Sequence, residues 1–340
     1  MTDVRTFLLA EARALGFSEA RVASADPALD MSHFDAFLAR GAEGEMGWLR
    51  AGRDARAQLR SLLPGAQSVL VLAFDFGGLA PDPGGLTGRV ASYAWGRDYH
   101  NVVLKRLRKL QSRLNMAFPG IGSYASLDSR PVYERAWAAR AGLGFVGKNH
   151  CQVIPSRGAT FFLATLAVDR EMAPDAPLGD HCGRCSRCVE ACPTGALVAG
   201  SGIEATRCIS YLTIEADAPV PLPLRPLLGR WVFGCDDCMD SCPHEHAPAV
   251  DPALAPRDAW LDLPAILAMD DAQLVARFEG SPIRRAAGPR LRRNAALVLG
   301  NIGDTGALPA LERAAADPSP VVAEAARWSL GRLTDPGSCR

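Results

Sequence analysis

The clearest chemistry in this chain lies in its cysteines. Eight of the ten fall between residues 182 and 242, and two runs of them end before a proline: Cys182, Cys185, Cys188 and Cys192 in the first, Cys235, Cys238 and Cys242 in the second. Cys208 lies alone between the runs. Thiolates bind iron and zinc, and in a reducing compartment such clustering indicates metal ligands rather than disulfides.

The spacing of the first run is C-x2-C-x2-C-x3-C-P, as in bacterial ferredoxins, where the cysteine before proline binds the other of two clusters. This predicts two [4Fe-4S] clusters, one held by Cys182, Cys185, Cys188 and Cys242, the other by Cys192, Cys208, Cys235 and Cys238. Two structural zinc sites are the alternative, because C-x2-C pairs also bind zinc. Zinc does not explain the exchanged fourth cysteine. Two clusters form an electron relay, which needs something to reduce.

Two stretches of the N-terminal half carry further candidates, YAWGRDYHNV at 93–102 and DSRPVYERAWAARAGLGFVGKN at 128–149. Asp128 is a candidate proton donor if burial raises its pKa. The competing role is a helix N-cap, for Asp128 or for Ser129, with Pro131 opening the helix.

Glycines dominate the end of the second stretch. Gly142 can end the helix, and Gly142, Gly144 and Gly147 let the backbone approach a ligand closely. Lys148 and Asn149 follow directly. No G-x-G-x-x-G lies between a strand and a helix here, so nicotinamide binding has little support.

These residues require a scaffold, which the hydrophobic pattern predicts. The apolar runs at 68–74 and 160–168 indicate buried strands, and Arg5–Leu15 and residues 102–114 indicate amphipathic helices. Their alternation predicts an α/β (α+β) domain with a central sheet over residues 1–175. The cysteines define a bacterial-ferredoxin-like double-cluster domain over 176–250.

Residues 251–340 form a third region, rich in Ala, Leu and Arg. NAALVLGNIGD (294–304) and AARWSLGRLTD (325–335) repeat one helical pattern, which predicts an all-α HEAT-like domain docked on the rest of the protein. Between Gly280 and Gly303 there is no acid but there are five arginines: Arg284, Arg285, Arg290, Arg292 and Arg293. Guanidinium groups suit phosphate, so we predict RNA contact here; a solvated helix face is the alternative.

Overall charge gives no such signal, because 37 basic residues balance 37 acidic ones. The N-terminus mixes charged and apolar residues, unlike a signal peptide. The longest apolar runs are too short to span a bilayer. We therefore expect a cytoplasmic protein without membrane association.

Taken together, the motifs resemble the epoxyqueuosine reductase family. The likeness covers LDSRPVYERAWAARAGLGFVGKN, both cysteine runs, MGWLRAGRDAR at 46–56, the segment from Tyr93 to His100 and the C-terminal repeat. It implies removal of the epoxide oxygen of epoxyqueuosine at the tRNA wobble position, with cobalamin and two [4Fe-4S] clusters. It also implies tRNA of the Asp, Asn, His and Tyr types, a cytoplasmic electron donor and a monomer.

Site residues follow from the resemblance by position. Asp128 matches the proton donor to the epoxide oxygen. Arg56, Tyr93 and the segment Gly142, Gly144, Gly147, Lys148 and Asn149 fall where the family contacts cobalamin. The chain departs from the family's pattern at residues 57–59 and 158–159, which puts one cofactor contact in doubt at each.

Three other functions fit parts of the sequence. A reductive dehalogenase also combines cobalamin with two ferredoxin-type clusters, although exported members carry a twin-arginine signal that is not seen here. A plain electron-transfer protein would bind iron but no corrin. An RNA-binding module with structural zinc would be colourless.

Overall fold

The computed structural model describes residues 3–198, 202–245 and 250–334. The α-helices are α1 (Val4–Ala14), α2 (Ser32–Ala39), α3 (Gly47–Ala51), α4 (Arg53–Ala57), α5 (Tyr99–Ala117), α6 (Glu134–Arg140), α7 (Arg187–Ala191), α8 (Ile209–Ile214), α9 (Asp237–Asp240), α10 (Leu263–Ala268), α11 (Asp271–Arg277), α12 (Pro289–Ile302), α13 (Leu308–Ala314) and α14 (Pro320–Thr334). No helix in these ranges is long and apolar enough to cross a membrane.

In the described part of the chain the strands form four small sheets. They are β1 (Glu19–Ser24), β2 (Ser68–Asp75), β3 (Thr87–Val90), β4 (Ser123–Ser126), β5 (Phe145–Val146), β6 (Gln152–Val153), β7 (Phe161–Val168), β8 (Leu197–Val198), β9 (Gly202–Ile203), β10 (Trp231–Phe233) and β11 (Trp260–Asp262). The largest sheet has the order β1-β2-β7-β4 and is antiparallel throughout.

The two predicted strands are the centre of this sheet. Both β2 and β7 are mostly apolar and almost entirely buried, because helices or loops cover both faces of the sheet. The predicted amphipathic helices are α1 and α5, which pack on one face through Leu8, Leu107, Leu110 and Leu114. The sheet therefore fixes the position of the turn after β4, where Asp128 lies.

A second sheet joins distant parts of the chain. Its central strand β3 pairs with β10 on one side and with β11 on the other. Each strand comes from a different one of the three regions distinguished in the sequence. The cysteine-bearing region and the C-terminal helices are thus tied to the N-terminal region by backbone hydrogen bonds.

The C-terminal helices pack on the rest of the protein, as predicted for an arm that cannot bury its own face. Within the arm, α12 packs against α14. The Asn294 side chain of α12 donates to the carbonyls of Thr213 and Val232 at 2.8 and 3.0 Å. The second repeat lies in α14, and its last residue, Asp335, is outside the described residues.

Candidate active site and cluster ligands

Asp128 lies in the turn that follows β4, with its backbone in the left-handed region at φ 56°. Such a conformation is costly for a residue with a side chain and is often retained at functional sites. The Tyr99 hydroxyl donates to Asp128 Oδ2, and His100 Nε2 lies 3.7 Å from the same oxygen. The Asp128 side chain is 63% exposed, so the protein alone does not provide the burial that the sequence argument required.

The N-cap alternative is wrong for both Asp128 and Ser129. Helix α6 begins at Glu134, its N-cap residue is Tyr133, and no side chain caps it. Pro131 therefore precedes the helix instead of opening it. The predicted end is confirmed, because Gly142 follows the helix in the left-handed conformation at φ 68°.

Asp98 and His100 form a second pair beside Asp128. The Asp98 carboxylate caps α5 by accepting the His100 backbone N–H at 2.9 Å, and the same oxygen lies 2.9 Å from His100 Nδ1. This hydrogen bond raises the pKa of His100, and the charge of Asp128 raises it further. Burial and the charge of Arg285 act in the opposite direction.

Glu134 is a site residue that the sequence argument missed. Its carboxylate accepts from Ser126 Oγ at 3.2 Å, and the backbone N–H groups of Glu134 and Asp128 lie against it. Burial raises the pKa of Glu134 to about 7, and the nearby charge of Asp128 acts in the same direction. The signal that could have revealed it is its place in the same motif, six residues after Asp128.

Tyr93 connects this site to the cysteine region. Its ring centroid lies 6.3 Å from that of Tyr99 and 6.1 Å from that of Phe233, two residues before Cys235. The adjacent Ser92 N–H donates to Asp236 at 2.6 Å. Burial raises the pKa of Tyr93, so its phenol stays neutral at physiological pH.

Arg56 is a buried cation with few partners. The only hydrogen bond of its side chain among the described residues is a long one, 3.5 Å from Nη1 to the Leu49 carbonyl, and its guanidinium lies 5.6 Å from the Trp48 ring centroid. Burial lowers the pKa of Arg56, and the nearby Glu134 carboxylate partly offsets this. A buried guanidinium with unused donors fits a ligand that offers amide or phosphate oxygens.

The glycines of residues 142–149 pack against the protein itself, although the sequence predicts an open ligand site there. A Cβ on Gly142 would lie 2.1 Å from the Ala176 carbonyl oxygen, and one on Gly144 would lie 2.2 Å from that of Val153. The close backbone approach is therefore to the protein itself, so the ligand argument for these two glycines does not hold. At Gly147 a Cβ would meet Asn149 Oδ1 at 2.6 Å.

Lys148 and Asn149 hold the cysteine loops. Lys148 Nζ donates to the carbonyls of Gly183 and Cys185, both at 2.8 Å, and Asn149 Nδ2 donates to the Cys238 carbonyl at 3.2 Å. Cofactor contact by the 142–149 segment stays a prediction.

The eight clustered cysteines form no disulfides in the described ranges and fall into two neighbourhoods. In the first, Cys188 interacts electrostatically with Cys182 and Cys242, and Cys242 interacts with Cys182 and Cys185. In the second, Cys208 interacts electrostatically with Cys192, and Cys238 interacts with Cys235 and Cys208. In addition, Cys192 Sγ accepts the Ala196 N–H at 3.3 Å, a bond suited to a thiolate ligand.

Across the described ranges, no three Cys, His or carboxylate side chains are arranged to hold a single metal ion. A cubane cluster places four irons and four sulfides between its ligands, so its cysteines need not meet at one point. Cys151, which lies outside the eight clustered cysteines, lies beside Cys238 and forms a thiol–thiol contact with it.

The predicted RNA-binding arginines divide into two kinds. Arg292 and Arg293 are 5% and 1% exposed, and this contradicts a direct phosphate contact. Arg292 pairs with Asp271 and Asp317, while Arg293 donates to the carbonyls of Leu212, Ala216 and Ala218. Arg293 therefore stabilises the docking of α12 on the cysteine-bearing region, and Arg292 holds α12 to its neighbours among the C-terminal helices.

The other three arginines lie nearer the surface. Arg285 pairs with Glu215 at 2.7 Å and Arg290 with Asp217 at 2.6 Å. Arg284 is exposed, and no carboxylate in the described ranges pairs with it. Arg285 also interacts electrostatically with Asp128 and Tyr93. The arginine-rich segment therefore borders the Asp128 site.

Comparison with known proteins locates three family models along the chain. The model described as "Epoxyqueuosine reductase QueG, DUF1730" matches residues 56–129. A 4Fe-4S double cluster binding domain matches residues 181–245, and HEAT repeats match residues 282–340.

Similar proteins match over nearly the whole length. An epoxyqueuosine reductase from Xanthomonas campestris is 38% identical over 97% of this chain and 96% of that protein. One from Pseudomonas aeruginosa is 37% identical over 94% and 92%. The crystal structure of an epoxyqueuosine reductase with a tRNA-Tyr epoxyqueuosine-modified stem loop superposes with a TM-score of 0.88 at 29% identity, covering 98% of this chain and 92% of that one.

Proposed function

This chain belongs to the epoxyqueuosine reductase family, and we propose that it reduces epoxyqueuosine to queuosine at the wobble position of tRNA. The reaction breaks both C–O bonds of the epoxide, forms a carbon–carbon double bond and releases the oxygen as water. It consumes two electrons and two protons. The observation that carries the proposal is that Asp128, Tyr99 and Tyr93 form a continuous path from an exposed acid to the second cysteine group.

Asp128 is the proton donor to the epoxide oxygen. Its backbone conformation and the Tyr99 hydroxyl direct the carboxyl toward an open surface, where a substrate can reach it. A modified base that covers Asp128 would supply the burial that the protein does not. Tyr99 stays protonated because burial raises its pKa, so it acts as a fixed hydrogen-bond donor.

The eight clustered cysteines hold the two [4Fe-4S] clusters in the predicted pairing. The thiol neighbourhoods and the Ala196 N–H bond to Cys192 support this assignment. The group of Cys192, Cys208, Cys235 and Cys238 is the one next to the site, because Phe233 and Asp236 flank Cys235 and contact the Tyr93 segment.

The residues around Asp128 would hold cobalamin, which would supply the electrons for the reduction when bound. The Arg56 guanidinium, buried with unused donors, would hold the amide-bearing rim of the corrin. Tyr93 would pack against the cofactor between the acid and the cluster region. Lys148 and Asn149 would act indirectly, by fixing the cysteine loops beside it.

The tRNA lies against the C-terminal helices. Arg284 is free to meet a phosphate, and Arg285 extends the same segment to the rim of the Asp128 site. An exposed arginine segment continuous with the site suits an anticodon arm whose modified base enters the pocket. The substrate set comprises tRNA of the Asp, Asn, His and Tyr types, and the protein works in the cytoplasm as a monomer with a cytoplasmic electron donor.

A single-turnover assay tests the proposed function. Anaerobically purified protein with cobalamin and a strong reductant would be mixed with tRNA that carries epoxyqueuosine, and the nucleosides would be analysed by mass spectrometry. Cobalamin-dependent loss of one oxygen is expected. No loss from protein shown to hold both clusters and cobalt would overturn the proposal and favour a dehalogenase-like reductase. Iron without any bound corrin would favour a plain electron-transfer protein.

A further inference from the structure

The reduction requires two protons, but Asp128 can deliver only one before it must be protonated again. A base seated against Asp128 takes the place of the solvent that faces its carboxyl. The second proton then has to arrive through a neighbouring protein group. Among the described residues, the side chains of Tyr99 and His100 lie against Asp128 Oδ2.

Tyr99 cannot supply that proton. Its phenol is buried, and both the burial and the charge of Asp128 raise its pKa far above the neutral range. Losing the phenol proton would place two anions side by side. Tyr99 therefore holds Asp128 in place without exchanging a proton with it.

His100 has the geometry that a proton relay needs. Its Nε2 lies 3.7 Å from Asp128 Oδ2, while its Nδ1 is 2.9 Å from Asp98 Oδ1. Because Asp98 also accepts the His100 backbone N–H, the carboxylate fixes both the ring and the helix end that carries it. The His100 side chain is 35% exposed, so solvent can return a proton to the ring.

We propose that His100, oriented by Asp98, returns a proton to Asp128 during each turnover and so supplies the second proton of the reduction. The proposal rests on the proposed function. Asp128 first gives its proton to the epoxide oxygen, and a C–O bond breaks to leave a hydroxyl group. His100 then transfers its Nε2 proton to Asp128 Oδ2. Asp128 passes it to the departing hydroxyl, which leaves as water, and two electrons from the reduced cofactors complete the double bond.

The charges around His100 suit this role. The carboxylates of Asp98 and Asp128 favour the imidazolium form, and Arg285 on the C-terminal side disfavours it. The Asp98 hydrogen bond is the largest effect, so the pKa of His100 is raised. The protonated form is therefore fully present below the ordinary pKa of histidine and is lost as pH rises through the higher folded-state value.

The test compares His100→Gln with wild type in single turnover across pH 6 to 9. Glutamine keeps a hydrogen-bond donor but cannot carry the proton, so the rate should fall at least about 100-fold at neutral pH. The decline of the wild-type rate with rising pH should disappear in the variant. His33→Gln, at an exposed histidine on α2, is the matched control and should keep the wild-type profile.

A second readout does not depend on turnover. Proton NMR titration of His100 should give a lower pKa in Asp98→Asn than in wild type, because the variant lacks the carboxylate that stabilises the imidazolium. His100→Gln with an unchanged rate and an unchanged pH profile would overturn the relay while leaving the proposed function intact. A wild-type enzyme that removes no oxygen would overturn both.

Discussion

Glu134 gives the most quantitative prediction, because its carboxyl is neutral in the folded protein over a pH range in which the unfolded chain ionises it. Burial raises the pKa of Glu134 from the ordinary 4.5 to about 7. Between these values the folded state binds more protons than the unfolded state, so stability must fall as pH rises. At 1.36 kcal/mol per pKa unit, the loss across this window is roughly 3 kcal/mol.

Glu134→Gln should remove this pH dependence. The amide oxygen can still accept from Ser126 Oγ, while the cost of burying a charge disappears. The variant should match wild type near pH 4.5 and become more stable than wild type by roughly 3 kcal/mol above pH 7. The measurement is anaerobic urea unfolding at a series of pH values, followed by tryptophan fluorescence.

A surface control separates burial from the simple loss of a negative charge. Glu279→Gln, at an exposed position after α11, changes the same charge without a buried partner. Its stability difference from wild type should not vary across the window. Parallel stability curves for wild type and Glu134→Gln would refute the reasoning, since they would mean that Glu134 ionises alike in both states.

Other predictions concern the clusters, the docked helices and the RNA surface. Cys188→Ala should lose about half of the bound iron, measured per chain by metal analysis, because it removes one ligand of one predicted cluster. Arg293→Met should destabilise the protein by about 3 kcal/mol in denaturant unfolding, since three buried carbonyls lose their donor. Unchanged stability would show that water replaces the guanidinium. Arg284→Glu should weaken tRNA binding about 10-fold and reduce the salt dependence of the dissociation constant, whereas Arg293→Met should leave that salt dependence unchanged.

The parts of the fold that the sequence predicted are those with strong local patterns. Residues 68–74 and 160–168 are mostly apolar because β2 and β7 are covered on both faces, and α5 has a buried residue every three or four positions. The sheet formed by β3, β10 and β11 was not predictable in this way. Its strands are three or four residues long and pair across more than one hundred residues of chain.

The site shows the same limit. The cysteine ligands can be predicted from the spacing of nearby residues alone. The pairing of Asp128 with His100 depends on how α5 packs beside β4. The excess of arginine near residue 290 was misread for Arg292 and Arg293, because a charge excess in sequence does not reveal carbonyls and carboxylates brought in by distant segments. Glu134 was missed for a related reason, since its burial is a property of the packed structure.

The central claim is that Asp128 donates the proton that opens the epoxide, and Asp128→Asn tests it most directly. The amide can still accept the Tyr99 hydrogen bond but cannot donate a proton to the oxygen. The variant should keep its iron, its cobalamin and its affinity for tRNA, while oxygen loss in single turnover falls at least about 100-fold. Oxygen loss at the wild-type rate in Asp128→Asn would contradict the account.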